Sequence, residues 1–347
     1  MITQYLRKLK DYEPILVDPH DLTNQHSLDK QTFDLSGDWD TLGQSITNGY
    51  IYKSFKKRFE GSEWKDTKLY KRKHKKGQRW LRKLKVWDLM LDDIITNGYV
   101  QRQNRDKIDE YISILIGRNG HMFIYNGIHR LICCLLSNKV SNVPVKVLLR
   151  HTEWDEFRNS CINYQKRKGK LYCQLPHPDL KNIPYYWTNE RANLISENSL
   201  FPFGRVVELG AHWGTTSSIL AKDKFTCTAI ESSKSHFNKL LKISKFPNST
   251  FWPINSDFTR TPQSADTAVL LNIAHHFILD REKQKSFFHF LSVSKFNEVF
   301  YQSHQVGDKW SSTMSPGEML SSILKLTGLK STYQIGEFNK RVLWHLV

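Results

Sequence analysis

The segment Phe203 to Asp223, FGRVVELGAHWGTTSSILAKD, sets a short β-rich run at Val206-Val207 before Glu208-Leu209-Gly210-Ala211-His212-Trp213-Gly214. A helix then starts among the threonines and serines that follow Gly214. A strand, a glycine turn and a helix N-terminus in that order confine this part of the chain to a βα unit of a parallel sheet. At Gly210 and Gly214 a ligand can approach backbone where a side chain would collide. The next strand, Phe225 to Ile230, ends in Glu231, 23 residues after Glu208. An acidic residue about 20 residues beyond such a turn is where a Rossmann-like site holds a ribose, because a carboxylate accepts two hydroxyl protons at once.

Further units alternate along the chain. A helix runs through HFNKLLKIS, a strand from Ser249 to Ile254 leads to Ser256-Asp257-Phe258, and a strand DTAVLLNI reaches Ala274-His275-His276. A helix over Arg281 to Val293, a strand over Asn297 to Gln302 and a helix in SPGEMLSSILKLTG follow, and STYQIGEF with RVLWHLV reads as a closing antiparallel pair. Such alternation implies a largely parallel sheet with both faces covered.

VVELGAHWG, the strand end AIES, SDF, LLNIAHHF and the terminal strand pair resemble the class I S-adenosylmethionine-dependent methyltransferases, over about Pro202 to Val347 with a preceding helix at Thr188 to Asn198. The resemblance implies an α/β, Rossmann-like seven-stranded domain with S-adenosyl-L-methionine as cofactor. It sets Glu208, Gly210, Ala211 and Gly214 around the methionine part, Glu231 on the ribose, Asp257 and Phe258 by the adenine, and Asn272 on the floor. The chain departs from the family at His212, where many members carry glycine. A dinucleotide fingerprint would place glycines at 210, 212 and 215, and only Gly210 fits, which disfavours NAD. His275 and His276 follow the fourth strand and are the candidate catalytic groups, since imidazole can take a proton from a hydroxyl. The alternative for either is packing or a bond to a backbone carbonyl. NIAHHF is not the Asn/Asp-Pro-Pro-Tyr/Phe run of amino-methylating DNA enzymes, so the expected acceptor is a hydroxyl or phosphate on a glycan or metabolite.

In the N-terminal half, a strand at Pro14 to Val17 precedes polar sequence and Gly37-Asp38-Trp39-Asp40. Helices are expected at Val86 to Ile95 and Lys107 to Ile116. HMFIYNGIHRLICCLLSNKVSNVPVKVLLRH then gives a strand, an Asn126-Gly127 turn, a helix over Ile128 to Ser137 and a returning strand VPVKVLL. At the turn Ile128, His129 and Arg130 offer backbone N–H groups and two cationic side chains at a helix start, an anion site. NGIHR and VPVKV resemble the ParB/sulfiredoxin superfamily over about Arg105 to His151. That resemblance implies a smaller α+β nucleotide-binding domain in which Gly127, His129 and Arg130 contact the phosphates of ATP or CTP with Mg2+. It leaves open whether an ATP-dependent phosphotransferase reaction follows. Asp38, with Asp40, is the candidate carboxylate for a metal or a proton there, the alternative being a surface turn; no metal site is otherwise expected.

The net charge of +17 is concentrated between Lys53 and Lys85, where 15 Lys and Arg face only Glu60, Glu63 and Asp66, a net +12 in 33 residues. Phe55, Phe59, Trp64, Tyr70 and Trp80 interleave with these cations, which a disordered tail would lack. The stretch is expected to meet an anionic partner: a phosphorylated glycan or metabolite, a nucleotide, or nucleic acid. The five cysteines include no CxxC pair, against both a disulfide framework and zinc. No apolar run approaches the roughly 20 residues that cross a bilayer, so a cytoplasmic protein without a transmembrane segment is expected. The organisation expected is a ParB/sulfiredoxin-like domain at 1–154 with the basic insertion 53–85, a connecting segment at 155–187, and a methyltransferase domain at 188–347. The alternative is a nucleic-acid-binding protein with a DNA- or RNA-directed or degenerate methyltransferase domain, and a ligand sensor without turnover is a third reading.

Overall fold

The computed structural model describes residues 14–25, 38–40, 43–99, 111–305 and 313–347. The chain divides into two compact units, Met1–Ser160 and Cys161–Val347.

The second unit is built on a seven-stranded sheet. Its strands are β9 (Arg205–Leu209), β10 (Thr226–Ile230), β11 (Trp252–Ile254), β12 (Ser264–Leu271), β13 (Lys295–Gln302), β14 (Thr332–Phe338) and β15 (Arg341–Leu346), in the order β11-β10-β9-β12-β13-β15-β14. All pairings are parallel except those of β15 with β13 and β14. The chain steps outward from β9 to β11 and then returns to the other side of β9 as β12. This reversal of direction opens a crevice beyond the carboxyl ends of β9 and β12, the place where open α/β sheets bind ligands. β12 is long and buried over its last five residues, as a central parallel strand should be. Its apolar side chains join Phe287, Phe290, Met319 and Ile323 in the main core.

The helices of this unit have local reasons to start where they do. The helix Arg281–Val293 is capped by Asp280, which accepts from the N–H groups of Glu282 and Lys283. The helix Pro316–Thr327 opens with a reciprocal Ser315–Glu318 box and closes on Gly328. The connection expected at 155–187 begins inside a 17-residue helix, Thr152–Lys168, which crosses the division between the units. It then forms a short parallel pair, β7 (Leu171–Cys173) with β8 (Tyr185–Trp187). Prolines 176, 178 and 184 all fall between those strands, so they interrupt nothing.

The first unit holds a six-stranded mixed sheet of β1 (Ile15–Val17), β2 (Leu22–Gln25), β3 (Gly43–Ser45), β4 (Ile112–Ile116), β5 (Met122–Asn126) and β6 (Val143–Arg150), ordered β1-β6-β4-β5-β2-β3. β4 corrects the helix expected at Lys107 to Ile116; positions 107–110 lie outside the described residues. All five β4 residues are buried, with β5 on one side and β6 on the other. A short continuous apolar run reads alike as buried helix or buried strand, and the alternate isoleucines at 112, 114 and 116 decide for the strand.

The basic stretch is helical: α1 (Tyr50–Phe59), α2 (Lys68–Lys73) and α3 (Gln78–Asn97), the last extending the helix expected at Val86 to Ile95 in both directions. Phe55, Trp64 and Trp80 turn inward, Tyr70 is half-buried, and Phe59 stays exposed. Phe55 lies 5.1 Å from Trp64 and 5.5 Å from Trp87, and Trp80 lies 6.4 Å from Trp87, ring centre to ring centre. Most of the described lysines, Lys53, Lys56, Lys57, Lys68 and Lys71 among them, are left exposed as these rings form the core. Among the described residues no helix is long and apolar enough to cross a membrane.

One buried carboxylate ties the second unit together. Glu298 on β13 is fully buried and accepts from Ser199 Oγ, Leu200 N, Thr267 Oγ1 and His345 Nε2, the last at 2.8 Å. Burial raises its pKa, but the hydrogen bonds, led by that from His345, outweigh it and hold the carboxyl below the usual range. Its stabilising effect is therefore complete above the free-glutamate value of about 4.3 and is lost as pH falls through the lowered one. Glu298→Ala should cost about 3–5 kcal/mol in chemical denaturation at pH 7, and less in acid, where the wild type has lost the same contribution.

Candidate active site at the end of the central strands

The turn after β9 is clamped by its neighbour. The N–H groups of Gly210 and Ala211 both donate to the carbonyl of Ile230, at 2.9 Å each. His212 N donates to Glu231 Oε2 at 2.8 Å, and Ser233 N donates to Glu231 Oε1 at 2.7 Å. Each Glu231 oxygen thus takes one backbone N–H and keeps a lone-pair direction for another donor. The helix α7 (Thr215–Lys222) follows, with Gly214 as its left-handed N-cap.

The glycines act first on the protein itself. A Cβ on Gly210, whose φ is +72°, would lie 2.6 Å from Ile273 Cδ1, and one on Gly214 would lie 2.8 Å from Phe251 Cζ. Glu208 is buried and accepts from Ser217 N at 3.0 Å and Ser217 Oγ at 2.6 Å, so it holds the start of α7. Burial raises its pKa despite these bonds. His212 adopts φ +53°, a conformation glycine takes without penalty. Its ring packs 4.1 Å from His236, 4.6 Å from Tyr172 and 5.4 Å from Trp213. Burial, then the neighbouring His236, pushes it down to about 3, so it is neutral at pH 7.

A cavity of about 580 Å³ lies over this turn and is lined by Gly210, His212, Glu231, Asp257, Asn272 and His276, among others. Asp257 Oδ1 accepts from Thr259 N and Oγ1. Phe258 instead points into the core, 5.2 Å from Phe290, so only its backbone adjoins Asp257. The two histidines separate: His276 is exposed on the cavity wall, whereas His275 is buried. Burial, with His276, Arg341 and His304 nearby, lowers His275 to about 3.

Two arginines from distant elements escaped sequence reasoning; neither lines the cavity, but both act electrostatically on its lining residue Tyr172. Arg191, on the helix α6 (Glu190–Asn198), is 3% exposed. It donates to Gln302 Oε1 at 2.6 Å and to Cys173 Sγ, and its guanidinium lies 4.4 Å from the Trp187 ring centre. Its Nε has no hydrogen-bond partner among the described residues. Arg341, at the start of β15, donates to Asn272 Oδ1 at 3.0 Å and lies 6.0 Å from the same indole. The helix TNERANLISEN shows only a polar arginine, and nothing in RVLWHLV announces a partner 69 residues away.

In the first unit, Gly127 has φ +89° and begins the helix α4 (Ile128–Ser137). His129 stacks on Trp87 at 4.2 Å and lies 5.7 Å from Phe55. Burial, then Lys83, Lys73 and Arg130, lowers it to about 4, so it enters as a neutral ring rather than as the cation of the sequence reading. Arg130 donates to the Tyr111 carbonyl at 3.3 Å. Asp38 and Asp40 both pair with Arg118, at 2.6 and 2.9 Å, with Asp40 also accepting from the Arg118 backbone N–H. Both carboxylates are thereby engaged in holding the turn between β4 and β5.

No known protein family and no curated relative matches the chain. Among solved structures it is similar to the bifunctional kinase-methyltransferase WbdD, at 16% identity and a TM-score of 0.42 over 53% of this chain and 45% of that one. It is also similar to the methyltransferase domain of bacterial CtHen1, at 16% identity and a TM-score of 0.37 over 46% of this chain and 99% of that one. A third is the mitomycin 7-O-methyltransferase MmcR, at 11% identity and a TM-score of 0.37 over 46% of this chain and 53% of that one. The chain thus spans less than half the length of WbdD.

The clamped turn gives a direct test. Gly210→Ala should destabilise the protein by about 1–2 kcal/mol through its left-handed backbone alone. The contact with Ile273 adds to this. Adding Ile273→Ala should make the cost of Gly210→Ala in urea denaturation smaller than in the wild-type background, since it removes the collision and leaves the backbone penalty.

Proposed function

We propose that the second unit binds S-adenosylmethionine and transfers its methyl group to an oxygen of a glycan or metabolite. The observation that carries the reading is Glu231. It stands at the end of the strand beside the switch point and lines the cavity, with each carboxylate oxygen oriented by one backbone N–H. Two hydroxyls of one ribose fit the two remaining directions. Asp257, three residues beyond β11, lines the same cavity and would lie by the adenine in this reading. At the other end Arg191 is a buried cation with a spare donor, suited to the carboxylate of an amino acid. When bound, the donor supplies an electrophilic methyl group on a sulfonium. The protein's part is alignment, with His276 the histidine placed to receive a proton from a hydroxyl acceptor.

Calorimetric titration with S-adenosylhomocysteine should give saturable binding that Glu231→Ala weakens at least tenfold, while NAD gives none. Binding of NAD in its place would overturn the assignment.

A second reading concerns the first unit, where Lys73, Lys83 and Arg130 all act electrostatically on His129 at the start of α4. The basic helices therefore bring their charge to the NGIHR turn, which supports contact with nucleotide phosphates or another polyanion. ATP or CTP should raise the melting temperature and Arg130→Ala should abolish the rise. A nucleic-acid role predicts instead binding to DNA or RNA that falls steeply with salt and is lost when Lys71, Arg72, Lys73 and Lys75 are neutralised.

A further inference from the structure

The helix that closes the basic stretch keeps two apolar side chains in water. Val86 and Leu89, on α3, are 60% and 70% exposed, and no other large apolar side chain among the described residues is as exposed as Leu89. A single exposed apolar residue is ordinary, but these two stand one turn apart on the face that α3 turns away from the core. Arg79, Arg82, Val86, Leu89 and Asp93 follow at intervals of three and four residues, and all are exposed. The opposite face buries Trp80, Leu84, Leu91 and Ile94.

Charge is graded along that face. Between Lys71 and Lys85 nine Lys and Arg stand with no acidic residue. Lys71, Arg72 and Lys75 just before α3, and Arg79, Arg82 and Lys85 in its first half, are exposed. The acidic groups come later: Asp88 is engaged by Arg58 and Trp64, and Asp92 and Asp93 stand exposed near the end of the helix. The apolar pair therefore adjoins the cationic half, where the helix dipole is also positive.

We infer that this face docks on an anionic lipid surface, with its cations among the headgroups and Val86 and Leu89 entering the outer acyl layer. Aliphatic side chains set beside cations on one helix face suit a membrane interface, where each contributes a separate attraction. Nucleic acid would account for the cations alone. Val86 and Leu89 offer no hydrogen bond to a phosphate or a base edge, and Phe55, Trp64 and Trp80, three of the five rings in the stretch, are buried away from any base that could stack on them. With Asp92 and Asp93 at its far end, α3 approaches by its first turns, and it lies on such a surface without crossing it. The inference is independent of the methyl-transfer reading.

The test is flotation of the full chain with vesicles of phosphatidylcholine alone and of phosphatidylcholine and phosphatidylglycerol in equal parts, at rising salt. The protein should bind the mixed vesicles saturably and the neutral ones not at all, with affinity falling as salt rises. Val86→Ser combined with Leu89→Ser should weaken that binding at least tenfold, and Arg79→Gln combined with Arg82→Gln should weaken it and flatten its salt dependence. Leu16→Ser, which removes a side chain 56% exposed on β1, should leave it unchanged. Unchanged melting temperatures certify that the variants fold. Absence of binding to the mixed vesicles, or equal binding by the Val86→Ser, Leu89→Ser protein, overturns the inference. An equal loss in Leu16→Ser marks unspecific adsorption and overturns it too. Binding of a DNA or RNA oligonucleotide by the wild type and the double serine variant alike, with no vesicle binding, gives the surface to nucleic acid instead.

Discussion

The carbonyl of Ile230 accepts from two successive N–H groups, those of Gly210 and Ala211, and the rest of the site depends on that bond pair. It fixes the turn after β9 against the end of β10 and delivers His212 N to the Glu231 carboxylate. It also requires a left-handed Gly210, because Ile273 fills the space a side chain would occupy. The start of α7 is held from below by Glu208 through Ser217. Backbone groups rather than flexible side chains therefore set the floor of the cavity, and little ordering is left for a ligand to impose.

The cavity's electrostatics are divided by strand. Acceptors stand beyond the ends of β10 and β11, while the amide nitrogens of Asn272 and Gln302 stand at the ends of β12 and β13, with the Arg341 guanidinium at the start of β15. A ligand with ribose hydroxyls at one end and an acid at the other satisfies both. The strand order that separates the two groups is the same order that opens the crevice. Below the site, Glu298 binds the strap at Ser199-Leu200, Thr267 of β12 and His345 of β15 in one buried network, which keeps these strands in register beneath the cavity.

Much of this was legible where chemistry is local. VVELGAHWG announced the turn, AIES put Glu231 at the end of the next strand, and the helix expected over Arg281 to Val293 forms with those bounds. Side-chain direction was not legible: HH and DF each look like paired site residues, yet His275 and Phe258 turn inward while His276 and Asp257 do not, because neighbouring residues in or beside a three-residue-per-turn 3-10 segment point about 120° apart. Arg191, Arg341 and Gln302 were invisible because their roles arise from pairing across 111 and 69 residues. Of the aromatics in the +12 stretch, Phe55, Trp64 and Trp80 are buried, and Phe55 together with Trp87, just beyond the stretch, packs on His129, a contact the sequence does not announce.

The most direct measurement is a crystal structure of the protein with S-adenosylhomocysteine. The account predicts the nucleoside in the 580 Å³ cavity with both ribose hydroxyls on Glu231 Oε1 and Oε2 and the amino-acid carboxylate within hydrogen-bond distance of Arg191. A ligand seated elsewhere, or a Glu231 carboxylate that leaves the N–H groups of His212 and Ser233 and makes no ribose contact, would contradict it.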